Sequence, residues 1–133
     1  MLSKNIHNFI ACDAEYEDAD IVLFGAGFDG TTSFRPGTRF GPSEIRNESF
    51  GIETYSPYQD KDMLDYSYFD SGDLELAFGS TNRVIADIAM RTDRILTDGK
   101  IPFMIGGEHL VTLGAVMAVT EKIDDLYIIH FDA

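Results

Sequence analysis

The sequence predicts an α/β domain with a mostly parallel sheet. Two observations carry this prediction: short apolar runs alternate with segments of helical periodicity, and turn-forming residues close most of the runs. The runs that predict strands are residues 20–26, 66–69, 101–105 and 126–131. The segments that predict the longer helices are residues 80–98 and 110–122. A length of 133 residues fits one compact domain or a piece of a larger one.

The first half of the chain combines a strand, a long loop and a helix start. Residues 20–26 form a short apolar run of the kind that becomes a buried strand. Residues 27–41 are rich in glycine and predict a long loop, which in compact domains is often functional. Pro42 suits the first position of a helix that begins near Gly41. A second strand at residues 66–69 is expected to close at residues 70–73.

Apolar spacing and end signals predict the two longer helices. In residues 80–98 one apolar face is expected, with Ser80 or Thr81 as the cap and Gly99 at the end. That face consists of Val84, Ile85, Ile88, Ile95 and Leu96. In residues 110–122 the expected inner face consists of Leu113, Val116, Met117 and Thr120.

The charge of the chain limits its partners. Ten Lys and Arg residues stand against 23 Asp and Glu residues, which gives a formal net charge of −13. This balance argues against binding to nucleic acid and to anionic membrane surfaces. It is compatible with a cationic substrate, although a solvated acidic surface explains it equally well. Cys12 is the only cysteine, and no signal-peptide pattern is present, so the chain is expected in the cytoplasm.

One motif suggests a dinucleotide site. Residues 25–30 spell G-x-G-x-x-G directly after the first predicted strand. That fingerprint requires a helix to begin inside it, so that the helix N-terminus meets the pyrophosphate. Here the glycines lead instead into a proline-containing loop with no helical periodicity. A nucleotide-binding module therefore stays a disfavoured alternative.

His109 and Asp132 are the candidate metal ligands. His109 follows the predicted strand 101–105 and the glycine pair Gly106-Gly107, and Asp132 follows the predicted strand 126–131. One helix joins these strands, so they should be parallel, with their carboxyl ends at one edge of the sheet. An imidazole and a carboxylate at that edge could reach one metal ion. Two ligands alone do not make a site, and Glu108 is expected only as an acid in the first turn of the next helix.

Four motifs in order resemble those of the ureohydrolases, the arginase/agmatinase family, and most closely its agmatinase branch. The first joins Gly25–Asp29 to Thr32–Arg46, and the second, Asp70–Asp73, resembles a D-x-G-D segment. The third, Gly106–His109, resembles G-G-D/E-H, and the fourth, His130–Ala133, resembles the start of F-D-A-H-x-D. The resemblance runs from about residue 20 to the last residue. It implies an arginase-like fold of three layers, α/β/α, of which residues 1–133 would be the N-terminal part of a single domain, incomplete at its C-terminus.

The resemblance also implies a reaction and a site. The complete protein would hold two Mn²⁺ ions, with His109 as a terminal ligand of one and Asp132 as the carboxylate that bridges both. A hydroxide shared by the ions would attack agmatine, a small cationic guanidino substrate, to give putrescine and urea in polyamine biosynthesis. No catalytic residue of the family has a counterpart within these residues. Arg35 and Arg39 are expected to form salt bridges in the loop, Asp29 and Asp73 to be structural, and the protein to be a homo-oligomer.

Three alternatives stay open. A sister amidinohydrolase of the guanidinobutyrase or arginase type would act on another guanidino compound. A truncated, non-enzymatic product would keep only the surface of the fold, and the 133 residues alone are expected to be inactive. The nucleotide-binding module is the third.

Overall fold

The computed structural model describes residues 2–132 and contains a parallel three-stranded sheet. The strands are β1 (Ile21–Ala26), β2 (Tyr55–Ser56), β3 (Lys61–Asp62), β4 (Tyr68–Asp73) and β5 (Ile101–Gly106). The sheet order is β4-β1-β5, while β2 and β3 form a separate antiparallel pair. Because β1 pairs in parallel with both β4 and β5, the carboxyl ends of these three strands meet at one edge. This arrangement confirms the predicted α/β class.

Three α-helices flank the sheet: α1 (Gly41–Ser49), α2 (Thr81–Thr97) and α3 (Val111–Thr120). Val22, Phe24 and Ala26 point to one face of β1 and are fully buried against α2 and α3. On the other face, a Cβ at Gly25 would lie 2.9 Å from the Cβ of Pro42, so α1 packs closely there. Helices therefore cover both faces, and the structure has the expected three layers. None of the helices in the described chain is long and apolar enough to cross a membrane.

Helix α2 matches its prediction closely. Val84, Ile88 and Ile95 are buried on the expected face. Ser80 is the N-cap residue, although its side chain forms no capping hydrogen bond. Gly99 has a φ of 74°, and the backbone N–H of Lys100 donates to the carbonyl oxygen of Ile95 at 3.1 Å. That left-handed glycine ends the helix, as glycine does at many helix C-termini.

Three predicted elements differ from the structure. The strand expected at residues 66–69 is β4, and residues 70–73 lie inside it instead of closing it. The inner face of α3 was predicted wrongly, since Val111, Gly114 and Ala118 are buried while Leu113 and Met117 are exposed. A Cβ at Gly114 would lie 2.7 Å from the carbonyl oxygen of Ile85 in α2. The close approach of α2 and α3 thus places small residues of α3 at the contact, whereas apolarity alone predicts that its large residues are buried.

The third difference is the strand predicted at residues 126–131, which does not form, because these residues pair with no strand in the described part of the chain. Tyr127, Ile129 and Phe131 are exposed. The segment has the residue types of a strand, but a strand also requires a neighbour that accepts and donates its ladder hydrogen bonds.

Residues before β1 cover the outer edge of the sheet. The N–H of Asn5 donates to the carbonyl oxygen of Asp70 at 2.9 Å, and that of Ala14 donates to Tyr68 at 3.2 Å. These bonds occupy groups of β4 that would otherwise form an open edge. Nearby, Cys12 is buried, and this burial raises the pKa of its thiol to about 12.

A buried ion pair connects α1 to β4. The Nε and Nη2 atoms of Arg46 donate to the two carboxylate oxygens of Asp70 at 2.7 and 2.9 Å, and Nη1 donates to Asp73 at 2.5 Å. Asp70 also accepts from the backbone N–H groups of Phe9 and Gly72, both at 2.9 Å. Both carboxylates hydrogen-bond to Arg46 and raise the pKa of its guanidinium, although burial opposes this. The pair therefore holds a helix, a strand and the N-terminal segment together.

Replacing Arg46 with Ala should lower the free energy of unfolding by about 3–5 kcal/mol, because Asp70 would be left buried without its cation. Urea unfolding followed by circular dichroism measures the change. Arg83→Ala is the matched control, since Arg83 forms an exposed pair with Asp87 one helical turn away. Its loss should cost only about 0.5 kcal/mol. Equal effects of the two substitutions would contradict the structural role given to Arg46.

Candidate functional site

The turn after β5 packs against the chain that leaves β1. The N–H of Gly107 donates to the carbonyl oxygen of Ala26 at 3.0 Å, and the N–H of Glu108 donates to that of Phe28 at 2.8 Å. A Cβ at Gly107 would overlap the backbone of Phe28, so the approach requires glycine. These contacts fix the backbone of the turn that carries His109 at the carboxyl edge of the sheet.

His109 and Asp132 lie close together. The Nδ1 atom of His109 is 3.8 Å from the Oδ2 atom of Asp132, and their side chains are 80% and 52% exposed. The distance fits a shared metal ion, since two ligand bonds of the usual length together span about 4 Å. An imidazole nitrogen and a carboxylate oxygen also form a donor set that suits manganese as well as other divalent ions. The geometry therefore brings the two sequence-predicted ligands into reach of one ion.

His130 is a third residue of this group; it begins the fourth motif but was not among the predicted ligands. Ligand atoms of His109, His130 and Asp132 all lie within 4.8 Å of one another, and the two imidazole rings are 6.4 Å apart. The available signal was the spacing of His130 and Asp132, because residues two apart in an extended chain project to the same side. Ala133, the last residue of the fourth motif, lies outside the described residues.

The loop between β1 and α1 is held by two carboxylates. Asp29 is buried, accepts a hydrogen bond from the N–H of Gly37 at 2.6 Å and pairs with Arg39 at 3.2 Å. Glu108 accepts hydrogen bonds from the N–H and the hydroxyl of Thr31 at 2.8 and 2.6 Å. The loop is thus bound to itself by one acid and to the His109 turn by the other.

These contacts test several predictions made for residues of the loop and of its neighbours. Asp29, Asp73 and Arg39 have the structural roles predicted for them, because each is engaged in an ion pair. Arg35 was expected in a salt bridge, but its guanidinium lies 5.2 Å from the centre of the Phe34 ring and pairs with no carboxylate among residues 2–132. Glu108 is not in the first turn of α3, which contains no acidic residue. Its carboxylate contacts the loop instead.

The G-x-G-x-x-G segment does not form a dinucleotide-binding turn. After Gly30 the chain continues through the loop, and the next helical residues are the short 3₁₀ turn Thr38–Phe40, followed by α1. The glycines therefore do not place a helix N-terminus where a pyrophosphate would need it. Gly27 instead allows close approach to the backbone of Arg39.

Comparisons with known proteins agree with this geometry. A model of the arginase family matches residues 19–133. The curated agmatinase of Bacillus subtilis (strain 168) is 50% identical over 125 residues, which are 94% of this chain and 43% of that protein. The chain thus spans less than half the length of this relative.

Two solved structures are similar over most of this chain. A Clostridium difficile protein, provisionally assigned as an agmatinase, superposes with a TM-score of 0.85 at 56% identity, over 90% of this chain and 43% of its own. The agmatine ureohydrolase of Thermoplasma volcanium superposes with a TM-score of 0.80 at 35% identity, over 86% of this chain and 39% of its own.

The substitution Gly107→Ala should displace the turn that carries His109, because the new methyl group would overlap the backbone of Phe28. We expect a loss of about 1–3 kcal/mol in the free energy of unfolding, typical of an overpacked site. Nuclear magnetic resonance should also show a shifted His109 ring signal. Gly51→Ala is the control, since a Cβ there would meet only the carbonyl oxygen of Glu48 at 3.4 Å, an ordinary distance. An unchanged His109 signal in Gly107→Ala would show that the glycine is not needed.

Proposed function

The chain belongs to the arginase family, and from this premise we propose that it is part of a metal-dependent hydrolase that converts agmatine to putrescine and urea. The observation that carries the proposal is the similarity to a curated agmatinase over 94% of the chain at 50% identity. The motif residues support it further, because Gly107 and His109 stand at the carboxyl edge of a parallel sheet, where α/β proteins bind ligands.

In this proposal, His109 would hold manganese through an imidazole nitrogen and Asp132 through its carboxylate, with the terminal and bridging roles that the family resemblance implies. When bound, such ions lower the pKa of a water molecule and so supply the nucleophile for hydrolysis. The chain's own contribution is to hold the imidazole and the carboxylate within 3.8 Å of each other. The formal net charge of −13 favours the approach of a dicationic substrate.

The proposal extends to the complete protein. Since the chain spans 43% of the length of the curated relative, we propose that residues 1–133 form the N-terminal part of one ureohydrolase domain. The remaining metal ligands and the catalytic residues would then belong to a longer polypeptide. Homo-oligomerisation and a cytoplasmic location stay predictions.

A sister amidinohydrolase is the second candidate. Its support is the proclavaminate amidinohydrolase of Streptomyces clavuligerus, which is 35% identical over 122 residues. The higher identity to the agmatinase of Bacillus subtilis favours agmatine.

An assay of urea release separates these candidates. The polypeptide that the gene encodes is tested with agmatine, arginine and guanidinobutyrate. We expect the highest kcat/KM for agmatine, in the presence of Mn²⁺. A preference for arginine or guanidinobutyrate would transfer the assignment to the corresponding sister enzyme. No hydrolysis of any guanidino compound would favour the non-enzymatic product.

Replacing His109 with Ala should remove one manganese ligand. Replacement of a residue that only supports a ligand already costs about 10–100-fold in metal affinity, so the loss should be at least that large. The manganese content after dialysis and the rate of urea release measure the effect. His7→Ala is the matched control, because His7 stacks on Phe50 instead and is no member of the His109 cluster. Manganese content equal to that of the wild type would count against the assignment of His109.

The 133 residues expressed alone should release urea at a rate far below that of the longer polypeptide. The reason is that only the proposed ligands His109 and Asp132 would be present, whereas an active site of this kind needs a fuller ligand set. Both proteins are assayed at equal concentration with agmatine and Mn²⁺. Equal rates would show that the described residues suffice for catalysis.

A further inference from the structure

The carboxylate of Glu108 joins two parts of the chain that are 77 residues apart in sequence. One oxygen accepts the N–H of Thr31 at 2.8 Å and the other accepts its hydroxyl at 2.6 Å. The backbone N–H of Glu108 donates to Phe28 at 2.8 Å. Glu108 therefore contacts the loop after β1 with both its side chain and its backbone.

Other roles for this carboxylate fit less well. Helix α3 begins at Val111, so Glu108 precedes its first turn and does not act as a helix-end acid. Within the described residues, the group of side chains that could hold a metal ion consists of His109, His130 and Asp132, without Glu108. Both oxygens are instead used by Thr31, which fixes the direction of the carboxylate.

The ring of His109 needs such support. Its side chain is 80% exposed, so packing does little to hold the ring in one orientation. The backbone of the turn sets the place and direction from which the ring projects, and this backbone is fixed by Gly107 and Glu108 against residues 26–31. The loop itself is anchored separately by Asp29, through Gly37 and Arg39. An anchored loop can therefore hold the turn in place through Thr31.

We propose that Glu108 is a positioning residue, whose hydrogen bonds to Thr31 fix the turn so that His109 points toward the metal. This proposal rests on the proposed role of His109 as a manganese ligand. The physical basis is preorganisation: a ligand that must be ordered at the moment of binding loses affinity, and residues that orient ligands affect metal binding strongly.

Four variants of the gene's full polypeptide test the proposal: Glu108→Ala, Glu108→Gln, Thr31→Val, and the double variant of Glu108→Ala with Thr31→Val. Mn²⁺ affinity is measured by calorimetry, and amide hydrogen exchange is measured over residues 27–37. Glu108→Ala should weaken Mn²⁺ binding about 10–100-fold. It should also raise exchange at the Thr31 amide by about tenfold, because that N–H loses a charged acceptor.

Glu108→Gln separates positioning from charge. The glutamine oxygen can accept the N–H of Thr31, and its NH₂ group can donate to the hydroxyl, which is also an acceptor. If positioning matters, Mn²⁺ affinity should stay within about threefold of the wild type, since hydrogen bonds between neutral groups are only moderately weaker. If the negative charge matters by its field alone, the glutamine variant should be as weak as the alanine variant, and the proposal would be overturned.

Thr31→Val removes the hydroxyl and leaves the charge of Glu108 in place. It should weaken Mn²⁺ binding in the wild-type background but have no further effect in the Glu108→Ala background, since the partner is then already gone. Thr32→Val is the matched control, because the Thr32 hydroxyl donates within the loop to the carbonyl oxygen of Asp29 at 3.0 Å. Its effect should be the same in both backgrounds.

The outcomes separate this proposal from the proposed function. Wild-type polypeptide that binds Mn²⁺, with unchanged affinity in Glu108→Ala, would overturn the positioning role alone. Wild-type polypeptide that binds no Mn²⁺ would overturn the proposed function and the positioning role with it. Three results together would support the proposed function and the positioning role. They are weakened Mn²⁺ binding in Glu108→Ala, recovered binding in Glu108→Gln, and an effect of Thr31→Val that depends on Glu108.

Discussion

The buried pair of Arg46 and Asp70 is the constraint on which the architecture depends. A two-pronged guanidinium–carboxylate contact has a defined geometry, and here it is fully enclosed between α1 and β4. Removing two charges from water is costly, so the contact persists only where hydrogen bonds satisfy the remaining atoms. Phe9 and Gly72 supply those bonds to Asp70. The position of α1 on the sheet, and hence the end point of the loop before it, follows from this pair.

The loop before α1 transmits that constraint to the carboxyl edge of the sheet. The loop ends at α1, whose Pro42 packs closely against Gly25 of β1, and Asp29 binds the middle of the loop through the N–H of Gly37. Its first residues then contact the turn after β5 so closely that Gly107 has no room for a side chain. The position of His109 is therefore set by a chain of contacts that begins at a buried ion pair, not by the strand β5 alone.

Much of this could be predicted from the sequence, because strands β1 and β5 and helix α2 have strong local signals. Helix α2, for instance, combines a buried apolar face with Gly99 at its end. Features that depend on a neighbour were missed. The buried side of α3 is set by how closely Gly114 approaches α2, and residues 126–131 form no strand without a partner. The contact of Glu108 with Thr31 joins distant residues, and nothing in the local sequence of either one reveals the other.

The two candidate ligands also differ in how firmly the fold holds the segments that carry them. His109 stands on a turn that backbone hydrogen bonds, a glycine contact and a carboxylate hold against the sheet. Asp132 follows a segment that pairs with no strand in the described part of the chain. Preorganisation within these residues is therefore greater on the histidine side, because fixed backbone lowers the entropy that binding must remove. A metal ion would therefore bind beside one ligand whose backbone the fold already holds in place. For this reason a contact between Glu108 and Thr31 can affect metal binding at a site that neither residue touches.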